Sequence, residues 1–317
     1  MTVMNSPFRY AGGKFYARKL ILEHIVPHAY YAEPFAGGAS IFFAKEKVPA
    51  NVLNDVDPEL ANCYLQIQNN VEGLIALLDG HEASKEKHHY FKNVYQPAND
   101  LERAFRWYYL NRTSYSGIMH PVNCYWGYGP KFSMQPHNWP RNLRRCSQKL
   151  QGVEITSNDF QKTIEQAPDN AFLFVDPPYF NADQDKFYTH SFTLHDHYRL
   201  AHLLREHSPR VKFLLTYDNS PEVRALYSWV TCILEKEWNY TINRTDDQKK
   251  NGNGSLPEKT SQKGRRYTGK EIFVLNYGET SEERRVSAVQ LPLFLLPTGL
   301  VEANGDHSRE KQPVFAE

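Results

Sequence analysis

One short run of this chain brings chemistry with it: Asp176-Pro177-Pro178-Tyr179. It follows Phe172-Leu173-Phe174-Val175, an unbroken apolar stretch that reads as a buried strand. The run therefore falls at the carboxyl edge of a sheet, where ligands bind in open α/β folds. Its prolines stiffen the turn and bring no N–H of their own. The Asp176 carboxylate and the Pro177 carbonyl can each accept one N–H from a planar amine such as N6 of adenine. That nitrogen is a poor nucleophile, because its lone pair is delocalised into the ring. Two acceptors hold it towards tetrahedral geometry, so positioning and charge complementarity become the main catalytic contributions. Tyr179 offers a ring to stack on a base that has left the duplex. The plainer alternative is a turn that closes a strand.

A second run, Glu33-Pro34-Phe35-Ala36-Gly37-Gly38-Ala39-Ser40, follows a short apolar strand and precedes a helix. Glycines there let the backbone approach a ligand, and the helix presents free N–H groups. Asp55 lies 18 residues beyond Gly37, at the end of the next predicted strand. An acid in that place takes the hydroxyls of an adenosine ribose. Asp57 is a rival for the role, and either acid would also serve as a helix cap. The loop is not G-x-G-x-x-G and no phosphate-loop lysine follows, so pyrophosphate is poorly supported. A nucleoside without phosphate, such as S-adenosylmethionine, fits the pattern.

The elements that must position these residues alternate. Helix, strand, glycine loop, helix and strand account for the first 60 residues, and strands resume at Val153-Glu154-Ile155-Thr156, 172–175 and 211–216. Segments 230–236 and 271–277 suit a terminal antiparallel hairpin. Continuous apolar strands belong inside a sheet covered on both faces. Between the halves, residues 65–151 read as helical stretches followed by an aromatic, Gly- and Pro-rich run at 115–139 that does not suit a regular core element. The expected organisation is α/β: a discontinuous catalytic domain (1–64 and 152–278), an inserted recognition domain (65–151) and a tail (279–317).

The chain has 317 residues, of which 41% are hydrophobic, enough for a sizeable core and too many for a disordered protein. No apolar stretch approaches the ~18 residues of a membrane helix, and the first ten residues lack a signal-peptide pattern, so no membrane partner and a cytosolic location are expected. The net charge is +1, which argues against a blanket polycation. Charge is nevertheless local: residues 244–270 hold eight basic and three acidic side chains. Cys63, Cys124, Cys146 and Cys232 contain no C-x-x-C pair, and His195 and His197 lack a surrounding ligand set, so no metal is expected.

The chain resembles the Dam-type family of adenine-specific DNA methyltransferases in three ordered blocks. These are Arg9-Tyr10-Ala11-Gly12-Gly13-Lys14, then Pro34 to Ser40 with Asp55, then Asp176 to Tyr179. Leu110-Asn111-Arg112-Thr113-Ser114-Tyr115-Ser116-Gly117 and Ser191-Phe192-Thr193 also match. The resemblance covers about residues 5 to 278. It implies a Rossmann-like S-adenosylmethionine-dependent sheet that methylates N6 of adenine in double-stranded DNA. It implies cofactor contacts from Tyr10, Lys14, Pro34, Gly37, Asp55, Asp159, Phe160 and Asp176, with Asp176, Pro177 and Tyr179 at the target amine. On residue type alone, Tyr10 and Lys14 read as surface. Expected DNA contacts are Arg112, Tyr115, Lys131, Arg265 and Arg266, since arginine bonds guanine and aromatics wedge into stacks. The aromatics of 115–139 can equally pack a core. The chain departs from better-known members at Ile118-Met119-His120-Pro121-Val122-Asn123, which lacks their base-reading arginine. Their GATC target therefore does not carry over. A cognate restriction endonuclease is an implied partner if the protein is the protective half of a restriction system. The rival readings are a methyltransferase of RNA or of a protein amide, and a DNA-binding protein without catalysis.

Overall fold

The computed structural model describes residues 4–131, 133–181, 189–239 and 268–278. Among them, seven strands form one sheet: β1 (Tyr30–Glu33), β2 (Ala50–Asn54), β3 (Glu154–Thr156), β4 (Phe172–Val175), β5 (Lys212–Asp218), β6 (Cys232–Asn239) and β7 (Thr268–Leu275). Their order is β3-β2-β1-β4-β5-β7-β6. Strands β1 to β5 pair in parallel, while β7 is antiparallel to both β5 and β6. The strand order reverses between β1 and β4, which opens a crevice at their carboxyl ends. The hairpin expected from sequence forms, but β7 is not at the edge. It slots between β5 and β6, placing Glu271 opposite Asp218.

The central strands are apolar at successive positions because both faces are covered. Phe172 and Phe174 of β4 enter one buried cluster, and Leu173 and Val175 enter the other. In β7, Phe273 and Leu275 face the first cluster while Ile272 and Val274 face the second. The first face is covered by α1 (Arg18–Leu22), α2 (Ser40–Ala44), α3 (Pro58–Asn69), α4 (Val71–Leu78), α5 (Lys85–Asn93), α6 (Asp100–Thr113) and α7 (Trp139–Leu150). The second is covered by α8 (Phe160–Gln166), α9 (Leu194–His207) and α10 (Pro221–Leu226).

Local chemistry sets the helix ends. Asp57 caps α3, accepting from the amides of Glu59 and Leu60, with Pro58 at the first helical position. That occupies the rival to Asp55 in a capping role. Thr193 and Asp196 form a reciprocal capping box at α9. Helix α6 is buried almost all round, and residues 107–113 are all covered. It joins the sheet-facing core to the helices of the insert, so residues 65–151 share one buried cluster with α1 to α3.

Among the described residues, no helix is long and apolar enough to cross a membrane. The basic stretch 244–270, with Arg265 and Arg266, lies outside the described residues except at its β7 end, as do Phe132 and residues 279–317.

Candidate active site

The glycine loop is built around Gly37, whose φ of +46° is the left-handed conformation that glycine adopts without steric cost. A Cβ added there would lie 2.9 Å from the Tyr10 ring. Tyr10 thus packs directly on the loop backbone, which explains a side chain that looks like surface in the sequence. Three bonds hold the loop. The Gly37 amide donates to Asp55 Oδ2 (2.8 Å), Tyr64 Oη donates to the Gly37 carbonyl (2.8 Å), and the Phe42 amide donates to Glu33 Oε1 (2.8 Å). Glu33 thereby ties the last residue of β1 to the first turn of α2. Its carboxyl is fully enclosed, and burial pushes it up to about 8.

Asp55 spans the loop and the end of β2. Its Oδ1 accepts from the Asp57 amide (3.0 Å) while Oδ2 holds Gly37. Burial pushes its carboxyl up to about 6, opposed by those two amides. Part of the side chain remains exposed, as a ribose-binding acid requires. Asn54, which sequence reasoning passed over, cross-links the neighbouring loops. It donates to the carbonyls of Pro34 (3.0 Å) and Asn158 (2.9 Å) and accepts from Thr156 Oγ1 (2.7 Å) and the Asn158 amide (2.9 Å). Its signal was its place at a strand end facing the crevice.

At the end of β4, the carboxylate of Asp176 is locked from two sides. Lys14 Nζ lies 2.7 Å from Oδ1 and 2.9 Å from Oδ2, and Thr216 Oγ1 donates to Oδ1 (2.6 Å). Lys14 is only 4% exposed, although it was expected at the surface on residue type. It also donates to the Gly12 carbonyl (3.0 Å) and lies 4.8 Å from the centre of the Tyr179 ring. A carboxylate has about four acceptor positions, so Oδ2 keeps capacity for an incoming N–H. The Pro177 carbonyl takes no donor among the described residues.

Tyr179 is held by a group that the motif does not contain. Its hydroxyl donates to Glu271 Oε2 on β7. The other oxygen, Oε1, is buried without a partner, and burial pushes the carboxyl up to about 7. Asp218 on β5 accepts from the Phe180 amide and from Asn181 Nδ2, both at 3.0 Å. Thr216, Asp218 and Glu271 are therefore a second tier beneath the motif. Their only sequence signal is a polar residue terminating or interrupting an apolar strand.

The remaining expected residues divide. Asp159 caps α8 and receives Arg199 Nη2 at 2.6 Å. Phe160 is buried, with its ring stacked on Phe35 at 5.2 Å. Both sit beyond Asn158, at the carboxyl end of β3. Tyr115 is 47% exposed, and Tyr125 and Lys131 are also exposed. Arg112 requires a correction as a DNA contact. It is 5% exposed, inside the core of α6, with Nη1 donating to the Pro7 carbonyl (3.4 Å). The last turn of α6 faces inward, so Arg112 pins the N-terminal segment and does not reach a groove. His197 is buried and hydrogen-bonded to the Tyr217 hydroxyl. Among the described residues no metal-ligating cluster of three or more His, Cys, Asp or Glu occurs.

Comparison with known proteins agrees with this geometry. The D12 class N6 adenine-specific DNA methyltransferase family matches residues 10–242. The type II methyltransferase M1.LlaDCHI of Lactococcus lactis subsp. cremoris is 29% identical over 299 residues, covering 86% of this chain and 95% of that protein. The DNA N-6-adenine-methyltransferase of Escherichia phage P1 is 30% identical over 246 residues, covering 70% of this chain and 31% of that longer protein. The DNA adenine methylase of Haemophilus influenzae is 26% identical, covering 70% of this chain and 82% of that one. With the crevice at the sheet reversal and the locked Asp-Pro-Pro-Tyr turn, the chain belongs to the D12 class of N6 adenine-specific DNA methyltransferases.

Proposed function

We propose that this enzyme methylates N6 of adenine at a specific site in double-stranded DNA, with S-adenosylmethionine as donor. The observation that carries the reading is the Lys14–Asp176–Thr216 lock beside the glycine loop. The residues present fit the donor. The Tyr10 ring packs on the Gly37 backbone, where no Cβ would fit, and Asp55 offers a partly exposed carboxylate. Tyr10, Lys14, Pro34, Gly37, Asp55 and Asp176 would hold it, with Asp159 and Phe160 closing the β3 side. Bound S-adenosylmethionine supplies an electrophilic methyl on a sulfonium sulfur.

The chain's own residues prepare the nucleophile. Asp176 Oδ2 and the Pro177 carbonyl accept the two N–H bonds of the adenine amine and draw its lone pair out of the ring. Positive charge grows on that nitrogen, and the fixed carboxylate stabilises it without reorganising. Lys14 and Thr216 hold the carboxylate in place. The adenine must leave the duplex to reach this turn, with Tyr179 beside it. Residues 65–151 act as the recognition part, through the exposed Tyr115, Tyr125 and Lys131. The Lactococcus lactis relative is named a type II methyltransferase. That supports a sequence-specific role shielding sites from a cognate endonuclease.

The test is incubation with mixed-sequence duplex DNA and isotopically labelled S-adenosylmethionine, followed by base-resolved sequencing. Methyl-adenine confined to one repeated motif is expected. Donor binding without transfer to DNA would move the substrate to RNA or a protein amide. DNA binding without donor binding would identify a protein that has lost catalysis.

A further inference from the structure

Helix α7 carries four cations, and they are used unequally. Arg144 makes a two-pronged pair with Glu72 (2.7 Å from both Nε and Nη2). Lys149 donates to the backbone carbonyls of Phe43 and Lys45. Arg141 and Arg145, one turn apart, have no ion pair or hydrogen bond among the described residues, and both are exposed. They border an open cleft of about 320 Å³ together with Asn5, Met134, Asn138 and Asn142.

The cleft is short of negative charge on every side. Its lining contains no acid. The first turn of α7 also contains none, and the N-cap residue Asn138 makes no side-chain capping bond. The helix N-terminus adds its own partial positive charge, which an arginine in the first turn does not offset. Asn142 gives an independent sign. It is 8% exposed and forms part of the cleft wall, yet its Nδ2 is buried with no hydrogen-bond partner. A buried amide donor without an acceptor costs free energy, and rotation of the Asn142 side chain towards an oxyanion in the cleft would remove that cost.

From this arrangement we propose that the α7 cleft holds a phosphodiester of the DNA backbone, with Arg141 and Arg145 as the paired cations and Asn142 as the buried donor. The inference rests on the DNA-methylation reading and extends it to a specific phosphate subsite. Position supports a backbone contact over base reading. Asn5, in the cleft wall, is five residues from Tyr10, so their Cα atoms are at most about 18 Å apart. Phosphates recur roughly every 3.4 Å along one strand of the duplex axis. The cleft thus lies within about five nucleotides of the glycine loop that Tyr10 covers. The hydrogen bond from Trp139 Nε1 to the Met134 carbonyl (3.1 Å) fixes the cleft wall at the start of α7. Because the whole chain is nearly neutral, backbone affinity has to come from such local cation pairs.

The test measures duplex affinity by fluorescence anisotropy from 50 to 200 mM salt, for wild type, the double variant Arg141→Gln/Arg145→Gln, and Arg144→Gln. Two lost phosphate contacts should lower the slope of log affinity against log salt by about 1.8. Arg144→Gln, whose cation is already paired, should keep the wild-type slope. A double variant with the wild-type slope, or with no more change than Arg144→Gln, overturns the subsite. The side-chain amide signal of Asn142 in NMR gives a second readout. A shift with one equivalent of duplex supports the proposal, whereas a shift only with millimolar inorganic phosphate makes it a free-anion site and overturns it. If wild type binds duplex but transfers no methyl, the catalytic reading fails while the slopes still decide the subsite. If it binds no duplex, both fail.

Discussion

On the proposed reading the turn at the end of β4 and the aromatic rim at 113–128 both present groups to a nucleic acid, but they are built in opposite ways. At the turn, the reacting carboxylate is fixed by a buried lysine and a threonine, and the tyrosine is fixed by a buried glutamate. At the rim, Tyr115 and Tyr125 stand exposed and the backbone is fixed instead. Tyr115 is 47% and Tyr125 58% exposed. Beneath them, Asn111 bonds both the amide and the carbonyl of Arg9, and Ser114 bridges to Trp126. Chemistry on a poor nucleophile needs charges that do not reorganise. Recognition of a deformable duplex needs side chains that can follow it, on a scaffold that does not.

The sharpest way to break this contrast is to remove the fixed carboxylate. Asp176→Ala should lower single-turnover methyl transfer on the order of 10³-fold, with DNA affinity nearly unchanged in anisotropy. Transfer at the wild-type rate would remove Asp176 from the chemistry. The next largest effect concerns the rim's backbone. Gly117 has φ +73°, and a Cβ there would lie 2.2 Å from the Arg9 carbonyl oxygen. Gly117→Ala should cost about 2–3 kcal/mol in urea unfolding. A loss below about 0.5 kcal/mol would show that the rim is not pinned there.

Glu271 sharpens the comparison through pH. Burial raises its carboxyl from the ordinary value near 4.5 to about 7, so the fold favours its neutral form. Its contribution to stability is fully present below about 4.5 and is lost as pH rises through about 7. Stability should therefore fall between about pH 4.5 and 7. Glu271→Gln should remove part of that fall, on the order of 2 kcal/mol, in thermal melts at several pH values. An unchanged slope would assign the fall to Asp55 and Glu33, which burial raises in the same direction. The smallest effect is expected at the exposed side chains. Tyr115→Ala should weaken duplex binding about 5- to 50-fold, as loss of one stacked ring does, with no change in Tm. A lowered Tm would make that ring part of the core.

Much of this was legible before the fold was known. The strands at 172–175 and 211–216 follow from apolar runs. The three motif blocks could be placed on them, because strand ends in a parallel sheet all face one edge. Pairings that span the chain were not legible. Lys14 and Asp176 are 162 residues apart and Tyr179 and Glu271 are 92 apart, and no local pattern links them. Arg112 shows the same limit from the other side. Its residue type suits guanine, but its helix face turns it into the core.

The sequence by itself determined the element types and the candidate reacting groups. Periodicity, capping and turn chemistry act over a few residues and can be read there. Tertiary structure decided which of those groups are buried together, which charges pair, and which cations of α7 remain unpaired. Those outcomes depend on the spatial order of the strands in the sheet. Inserting β7 between β5 and β6 put Glu271 under the catalytic turn, and the shared core of α6 turned Arg112 inward.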